Sequence, residues 1–309
     1  MTSADHTLLA AAGCAHARPD SKALRLELAT LKDLVWYASG QSGFRGALLT
    51  LSRKLDETFL TWAAMWQAEE RSYPLFIRAA ELAKLDYLSS FPQLATFPVH
   101  LAQQEANIEA FVGGLAAADP ARVELTQAAP IEDLLTPAAC YHLYIDLQGQ
   151  QLDAPKYLTT RNTCFRQEAY YAPLERQSAF GMREIVCLGT LEEVSSFLSE
   201  QQKRLETLFA AWRLPITFET ATDPFFQPSR SAKAFAQRVA PSKTEMVFDK
   251  RLAIGSLNLH RNYFGETFRI LRDAAPAYSG CVAFGIERWM AAVLHTYGVE
   301  HSEWPELLR

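Results

Sequence analysis

The sequence predicts an α+β fold with a mostly antiparallel sheet. Segments with the pattern of long strands are interleaved with helical segments, but the regular strand–helix–strand alternation of a parallel sheet is missing. A central stretch is predicted to form two strands joined by a long loop. The 309 residues, 49% hydrophobic and 21% charged, can bury a substantial core, so we expect one large domain with an accessory subdomain.

The first part of the chain is predicted to be mainly helical. Residues 1–20 are rich in alanine and are predicted to be loose. From residue 21 to residue 84, apolar residues recur with helical spacing, interrupted by glycines at residues 40–46, and this pattern predicts a helical subdomain. Pro92 and Pro98 then predict an edge strand or a strand-to-helix junction, because proline disrupts a helix interior.

The elements that follow alternate in type. Residues 102–128 are predicted to be helical, and residues 136–147 are predicted to form a strand. A helix is predicted over residues 190–212, where Thr190 and Glu193 have the spacing of a capping box. Further strands are predicted in the segments that begin at Ile216, Lys243 and Arg251, and a last helix is predicted from about Gly285.

The central stretch, residues 161–190, gathers groups that can bind a nucleoside triphosphate. We expect Arg166 and Glu168 on one side of the first strand, because side chains alternate across a strand. Phe180 and Glu184 then share a face of the second strand. Arginine forks match phosphate oxygens, and a carboxylate can accept a hydrogen bond from an exocyclic amine. The alternative is a hairpin with a salt-bridged solvent face, since surface ion pairs are common.

Composition argues against several function classes. The net charge of −5 provides no overall positive field, so extensive nucleic-acid binding is not favoured. Five cysteines, an odd number in a long chain, predict free thiols in a reducing compartment. No basic region precedes the N-terminal Leu/Ala run, and no apolar run approaches about 20 residues. We therefore expect a cytoplasmic protein without a signal peptide or a membrane span.

Two cysteines and a glutamate are candidate metal ligands. Zinc accepts thiolate and carboxylate ligands, and a catalytic zinc has three protein ligands and an open fourth position. Cys140, Glu184 and Cys281 could supply such a set, although the chain has no CxxC or HExxH pattern and a cysteine in this setting is more often a small core residue than a ligand. Arg288, in the first turn of a predicted helix, suits a polyphosphate, or else forms a salt bridge with Glu287.

Several motifs resemble those of class II aminoacyl-tRNA synthetases. The run FRQE, then Arg176, Phe180 and REIV, resembles motif 2, and GCVAFGIERW resembles motif 3. The stretch from Tyr87 to Pro98 resembles the weaker motif 1. An arginine four residues before the phenylalanine and a glutamate four after it match the seryl branch. Cys140 stands where ordinary seryl enzymes carry the glutamate of a Thr-Ala-Glu triplet, which is the pattern of the atypical zinc-dependent seryl enzymes.

The resemblance covers residues 85–309, which we take as the catalytic domain, and the tRNA-reading extension of seryl enzymes is missing from it. Such a shortened core resembles the amino acid:carrier-protein ligases. That family activates glycine or alanine with ATP as an aminoacyl-adenylate and acylates the phosphopantetheine thiol of a holo carrier protein. The resemblance therefore implies ATP, Zn²⁺ and Mg²⁺ as cofactors. It also implies a homodimer formed through motif 1, and a carrier protein rather than tRNA as acceptor.

The resemblance also implies roles for the nucleotide-binding residues. Arg166 would hold the α-phosphate, Glu168 would bind the adenine edge, and Phe180 would stack on the adenine. Arg176 and Arg288 would clamp the polyphosphate and, with Mg²⁺, stabilise charge as pyrophosphate leaves. These three arginines are the expected catalytic residues.

In the same comparison, Cys140, Glu184 and Cys281 would hold a zinc ion that binds the amino group of the substrate. The chain departs from ordinary seryl enzymes in the strand that supplies metal and phosphate ligands. Candidates for those duties are Glu245, Ser256 and Asn258. Glu184 and Asn258 are also expected to contact the amino acid.

A short basic segment is the expected contact surface for the carrier protein. It contains Arg230, Lys233, Arg238 and Lys243, and its alternative is a solvated surface helix. Two other functions stay open: a non-catalytic synthetase paralogue that acts as a binding or regulatory protein, and a truncated seryl-tRNA synthetase. The complete arginine set argues against the first, and the acidic net charge against the second.

Overall fold

The computed structural model describes residue 28, residues 31–115, residue 119 and residues 121–309. Its strands are β1 (Leu34–Tyr37), β2 (Gln41–Phe44), β3 (Glu69–Arg71), β4 (Phe76–Arg78), β5 (Asp133–Leu135), β6 (Gln151–Leu152), β7 (Lys156–Phe165), β8 (Ala179–Gly189), β9 (Ile216–Thr220), β10 (Lys243–Phe248), β11 (Leu252–Arg261), β12 (Leu271–Arg272), β13 (Ala275–Pro276) and β14 (Tyr278–Gly285). Its α-helices are α1 (Gly46–Met65), α2 (Ala79–Lys84), α3 (Tyr87–Ser90), α4 (Glu105–Gly114), α5 (Tyr141–Asp146), α6 (Leu191–Ala211), α7 (Ala232–Val239), α8 (Tyr263–Phe268) and α9 (Ile286–Tyr297). Short 3-10 turns lie at Pro92–Leu94, His301–Glu303 and Glu306–Leu308.

A seven-stranded sheet of order β3-β7-β8-β14-β11-β10-β9 forms the centre of the protein. Every neighbouring pair is antiparallel except β3 and β7 at one edge, which are parallel. The prediction of an α+β fold with a mostly antiparallel sheet is therefore confirmed. Strand β8 is buried from Gly181 to Gly189, so it runs through the core with both of its faces covered.

One face of the sheet is closed by α1, α6 and α9. The ring of Phe59 from α1 stacks on Phe284 of β14 with the ring centroids 3.9 Å apart, and Trp289 of α9 meets Phe59 edge-on at 5.1 Å. All three side chains are fully buried. Close packing of large rings makes this face rigid.

Helix α6 begins where the sequence predicts. Thr190 accepts a hydrogen bond from the backbone N–H of Glu193, and the Glu193 carboxylate accepts one from the backbone N–H of Thr190. This reciprocal pair is a capping box, which satisfies two otherwise unpaired donors at the start of a helix. Val194, Phe197 and Leu205 bury one face of the helix in the core.

The prediction of a strand over residues 136–147 is wrong, because α5 occupies this stretch. Cys140 and Tyr144 are buried, as are Leu143 and Leu147, and both pairs have the four-residue spacing of one helix face. Aromatic and branched residues favour strands only weakly. Here the fit of the buried side chains to the core determines the helix.

The chain between residues 21 and 84 contains strands as well as helices. Strands β1 and β2 form an antiparallel hairpin where a helix was expected, and Gly40 at its turn has a φ of +85°, which favours glycine. The expected edge strand around Pro92 is also absent from the described residues there, which form α3 and a 3-10 turn. The division at residue 84 stays a prediction. Residues 1–20, predicted to be loose, lie outside the described residues.

The central hairpin differs from its prediction in one detail. Strand β7 ends at Phe165, so Arg166 and Glu168 lie in the loop beyond it and not on the strand.

Across the described part of the chain, no helix combines the length and apolar character needed to cross a membrane. The four cysteines in this part are free thiols, as the sequence predicts.

Candidate active site

Two adjoining cavities open on the face of the sheet opposite α1, and the first turn of α9 lines the smaller one. The larger has a volume of about 470 Å³ and the smaller about 120 Å³. Predicted site residues that line the larger cavity are Cys140, Arg166, Glu184, Lys233, Ser256, Asn258 and Cys281. Those that line the smaller cavity are Arg166, Glu168, Phe180, Glu245, Ser256 and Arg288. Both cavities are bounded by Arg166, Met182, Lys243, Ser256 and Ala283.

A buried carboxylate lies between two thiols in the larger cavity. The Glu184 carboxylate, 2% exposed, accepts hydrogen bonds from the backbone N–H groups of Ala139 at 3.1 Å and Cys140 at 3.2 Å. The thiols of Cys140 and Cys281 are hydrogen-bonded to each other, and each also contacts Glu184. In the described part of the chain, Glu184 forms no ion pair with a lysine or arginine. The predicted zinc ligands are therefore brought together.

Both thiols favour the protonated form. The hydrogen bond with Cys281, together with burial, raises the pKa of Cys140 well above its ordinary value. The same hydrogen bond lowers the pKa of Cys281, but burial and the nearby Glu184 outweigh it, so the pKa of Cys281 is also raised. Across the described residues, no three His, Cys, Asp or Glu side chains stand in metal-ligating geometry. A cation bound here would have to displace the thiol protons.

Two further side chains approach the Cys281 sulfur. The Asn258 amide donates to it at 3.3 Å, and His260 Nε2 lies 3.6 Å away. The other ring nitrogen, Nδ1, lies 3.1 Å from the Tyr144 hydroxyl and 3.2 Å from the Ser279 hydroxyl. Burial lowers the pKa of His260 to about 4, so its imidazole is neutral at physiological pH.

The smaller cavity has an aromatic wall with a cation beside it. The guanidinium carbon of Arg166 lies 5.2 Å from the centroid of the Phe180 ring, within cation–π distance. Its Nε and Nη2 donate to the carbonyl of Pro137 at 3.1 and 3.0 Å. The arginine fork and the aromatic ring thus lie side by side in the wall of the smaller cavity.

Arg288 is held at the opposite side by backbone carbonyls. Its Nε donates to Glu175 O at 2.8 Å and its Nη1 donates to Ala253 O at 2.9 Å. The Glu175 side chain is itself bound by Arg251 at 3.0 Å and His295 at 2.9 Å. Burial and the neighbouring Arg166 lower the pKa of Arg288. Its predicted alternative, a salt bridge to Glu287, is not found among the described contacts.

Glu168 and Arg176 are paired with each other. Arg176 Nη1 lies 2.6 Å from Glu168 Oε2, and the Arg176 guanidinium carbon lies 4.7 Å from the ring centroid of Tyr170. Arg176 does not line the smaller cavity in this arrangement. Its predicted contact with phosphate therefore requires the side chain to swing away from Glu168.

The basic segment is divided between the surface and the interior. Arg230 and Arg238 are exposed at and near α7. Lys233 lies at the edge of the larger cavity, 3.1 Å from Asp86 and 3.2 Å from the Tyr263 hydroxyl. The expectation that Lys243 belongs to the same surface is wrong: its side chain is 16% exposed and lies between the two cavities.

Sequence reasoning missed His260 and the inward position of Lys243. A period of two could have found the histidine, because Ser256, Asn258 and His260 alternate along β11 and all line the larger cavity. The same alternation relates Lys243 to Glu245 on β10, and both line the smaller cavity.

The family model and the most similar relatives point to the same family of proteins. Residues 135–297 match the tRNA synthetase class II core domain (G, H, P, S and T). Amino acid–(acyl-carrier-protein) ligase 1 of Bradyrhizobium diazoefficiens is 34% identical over 251 residues, which cover 78% of this chain and 75% of that protein. A type-2 serine–tRNA ligase of Methanococcus maripaludis is 26% identical over 266 residues, 78% of this chain but only 50% of that protein.

A solved structure supports the same fold. The M. kandleri SerRS, determined in complex with A. aeolicus tRNASec, superposes with a TM-score of 0.80 at 18% identity. The match covers 94% of this chain and 60% of that chain. The class II synthetase-like fold predicted from the three motifs is therefore confirmed.

A buried glutamate beside the smaller cavity generates a prediction about pH. Both oxygens of Glu287 accept from the Gly181 N–H at 2.9 Å. Burial nevertheless raises the pKa of Glu287 to about 7. In the unfolded chain the pKa returns to about 4.3, so the folded state holds an extra proton between these values. The associated stability is present below about pH 4.3 and is lost as the pH rises through about 7.

We therefore expect Glu287→Gln to flatten this part of the pH profile. Between pH 4.5 and 7.5, the free energy of unfolding of the unmodified protein should fall relative to the variant by up to about 3 kcal/mol. Urea denaturation at several pH values measures this free energy of unfolding, and the exposed Glu206→Gln serves as the control variant. Parallel profiles for the protein and Glu287→Gln would contradict the raised pKa.

Proposed function

This chain belongs to the family of amino acid–(acyl-carrier-protein) ligases built on the class II tRNA synthetase core, and we propose that it activates a small amino acid with ATP and transfers it to the phosphopantetheine thiol of a carrier protein. One observation carries the proposal. A buried cluster of one carboxylate and two thiols lines the larger cavity, and this cavity shares a wall with the arginine-lined smaller cavity. The two substrates of an adenylation reaction can therefore meet at that wall.

The smaller cavity is proposed to bind ATP. Adenine would stack on Phe180, with the Glu168 carboxylate at its exocyclic amine. Arg166 lines both cavities, so its guanidinium is suited to the α-phosphate. Arg288 would hold the far phosphates together with Arg176, once Arg176 leaves Glu168. Glu245 and Ser256 line the same cavity and would hold Mg²⁺, which would supply further positive charge beside the phosphates.

The cluster of Cys140, Glu184 and Cys281 is proposed to hold zinc. Two thiols and one carboxylate, all buried, form a donor set that favours zinc over magnesium or calcium. A buried carboxylate without a cationic partner is costly, and a metal would remove that cost. When bound, zinc supplies a Lewis acid that can take the amino group of the substrate. Asn258 and His260 approach the Cys281 sulfur and would help to fix the orientation of that ligand.

The two half-reactions follow from this placement. A carboxylate oxygen of the amino acid attacks the α-phosphorus, and the bond to the bridging oxygen of pyrophosphate breaks. The phosphopantetheine thiol, having lost its proton, then attacks the acyl carbonyl, and AMP leaves with the electron pair. Holding both reactants in one geometry supplies much of the rate, because entropy is lost on binding and not in the transition state.

A small amino acid is the proposed substrate. The segment from Pro137 to Cys140 reads Pro-Ala-Ala-Cys, so it offers no side-chain hydroxyl or carboxylate to a serine side chain. An unpaired buried hydroxyl costs about 1–3 kcal/mol. Rejection of one extra methyl group by crowding is of similar size, so alanine would be a weaker second substrate.

The carrier protein is proposed to dock at α7. Arg230 and Arg238 are exposed there, and Phe235 and Val239 on the same helix are 62% and 68% exposed. Lys233 joins this surface to the edge of the larger cavity. A small acidic carrier could pair with the arginines while its prosthetic arm enters the cavity.

We also propose a homodimer, on the basis of the motif 1 resemblance.

The function is tested by amino-acid-dependent exchange of pyrophosphate into ATP. We expect glycine to give the highest kcat/KM, alanine the next, and serine a poor value, for the reasons of size and hydrogen bonding above. All twenty amino acids are assayed with one enzyme preparation. Exchange that favours serine over glycine would contradict the proposed substrate, and no exchange with any amino acid would contradict the proposed reaction.

The zinc site is tested by metal content. One zinc per chain is expected in the unmodified protein, and Cys281→Ser should lose most of it because one thiolate ligand is removed. Cys187→Ser is the matched control, since Cys187 is buried in the same sheet but does not line either cavity. Elemental analysis measures the zinc content of the unmodified protein and of the two variants. Equal zinc in the two variants would contradict the site.

The docking surface is tested by charge reversal. Arg230→Glu with Arg238→Glu should slow acylation of a holo carrier protein about tenfold or more, because steering depends on complementary charge. Pyrophosphate exchange should change little, since adenylate formation does not involve the carrier. Arg53→Glu, exposed on α1 at the opposite face, is the control. Equal acylation by the two variants at low salt would rule out this surface.

A further inference from the structure

Lys243 lies at the boundary between the two cavities. It is the first residue of β10, and its Nζ lies 3.0 Å from Asp223 Oδ1 and 3.1 Å from Glu245 Oε1. Its side chain is 16% exposed. Of the five residues that line both cavities, only Arg166 and Lys243 carry a charge. An ammonium group is thus placed where the two pockets meet.

The reaction proposed above brings two anions to the same boundary. The amino acid presents a carboxylate, and ATP presents an α-phosphate. At a few ångströms, in a partly desolvated site, these two groups repel each other strongly. Arg166 can serve the phosphate, but it also packs over Phe180 and donates to Pro137. The carboxylate requires a second cation.

We propose that Lys243 is a catalytic residue of adenylate formation, whose ammonium contacts the carboxylate of the amino acid and holds it against the α-phosphorus. This inference rests on the proposed function. As the new C–O–P bond forms, pyrophosphate takes the electron pair of the broken P–O bond. The Lys243 ammonium offsets the charge that gathers at the α-phosphate.

Asp223, one of the two carboxylates beside Lys243, also has a structural role. Burial alone raises the pKa of Asp223, but the Lys243 ammonium and the Gln237 amide outweigh it and hold that pKa below its ordinary value. Gln237 Nε2 donates to Asp223 Oδ2 at 3.1 Å, and Asp223 N donates to Gln237 Oε1 at 2.7 Å. Asp223 therefore connects Lys243 to α7. A purely structural Lys243 would only anchor this helix.

Asp223 supplies a control that separates these two roles. Asp223→Asn removes the same ion pair and weakens the same anchor, yet leaves the cation at the boundary. Lys243→Met removes the cation, and Lys243→Arg restores a positive charge with a different shape. If the cation acts on the substrate, Lys243→Met should be far more damaging than Asp223→Asn. If Lys243 only anchors α7, the two variants should behave alike.

The test measures pyrophosphate exchange for the unmodified protein and these three variants, varying glycine and ATP separately. We expect Lys243→Met to lower kcat/KM for glycine by about 10²–10³, the usual loss for one electrostatic group, with little change in the KM for ATP. Lys243→Arg should recover part of this loss. Asp223→Asn should stay within about tenfold of the unmodified protein. Thermal melting checks that each variant is folded.

Three outcomes would overturn the inference. Lys243→Met within threefold of the unmodified protein excludes a catalytic role. Equal losses in Lys243→Met and Asp223→Asn, with no recovery in Lys243→Arg, assign Lys243 to anchoring. An unmodified protein with no exchange overturns the proposed function and this inference with it. If Lys243→Met does not fold, Lys243→Gln, which can donate a hydrogen bond to either carboxylate, makes the same comparison.

Discussion

The burial of one carboxylate determines how the site is assembled. Glu184 lies in the middle of β8, in the interior of the sheet, where an unpaired charge would be costly. Its hydrogen bonds come from the N–H groups of Ala139 and Cys140, which precede α5. This requirement draws α5 onto the sheet and brings the Cys140 thiol to Cys281 on the next strand. Zinc is the proposed final partner of the cluster.

The proposed nucleotide side of the site depends on the same strands. Phe180 precedes Glu184 on β8, and α9 begins directly after β14, so Arg288 is fixed at the end of the strand that carries Cys281. Behind both strands, Phe59, Phe284 and Trp289 fill the closed face with stacked and edge-on rings. A rigid sheet therefore sets the distance between the cluster of Cys140, Glu184 and Cys281 and the smaller cavity, the two parts that the proposed adenylation would bring together.

The sequence predicted those parts that depend on local periodicity. The alternation of Phe180 and Glu184 along β8 and the capping box at Thr190 both follow from nearest neighbours in the chain. The helix α5 was missed although its buried residues have helical spacing, because the stretch is short and its aromatic and branched residues also suit a strand. Lys243 was grouped with surface arginines on sequence proximity. Its place at the start of β10 turns it inward to Asp223, a partner that no local pattern reveals.

The central claim is that the amino acid and the nucleotide meet at the shared wall of the two cavities. A crystal structure of the zinc-loaded protein with a non-hydrolysable glycyl-adenylate analogue tests it most directly. We expect the adenine on Phe180, the amino group at the cluster of Cys140, Glu184 and Cys281, and the acyl-phosphate mimic between Arg166 and Lys243. An analogue whose amino group points away from that cluster, or whose adenine lies outside the smaller cavity, would contradict the account.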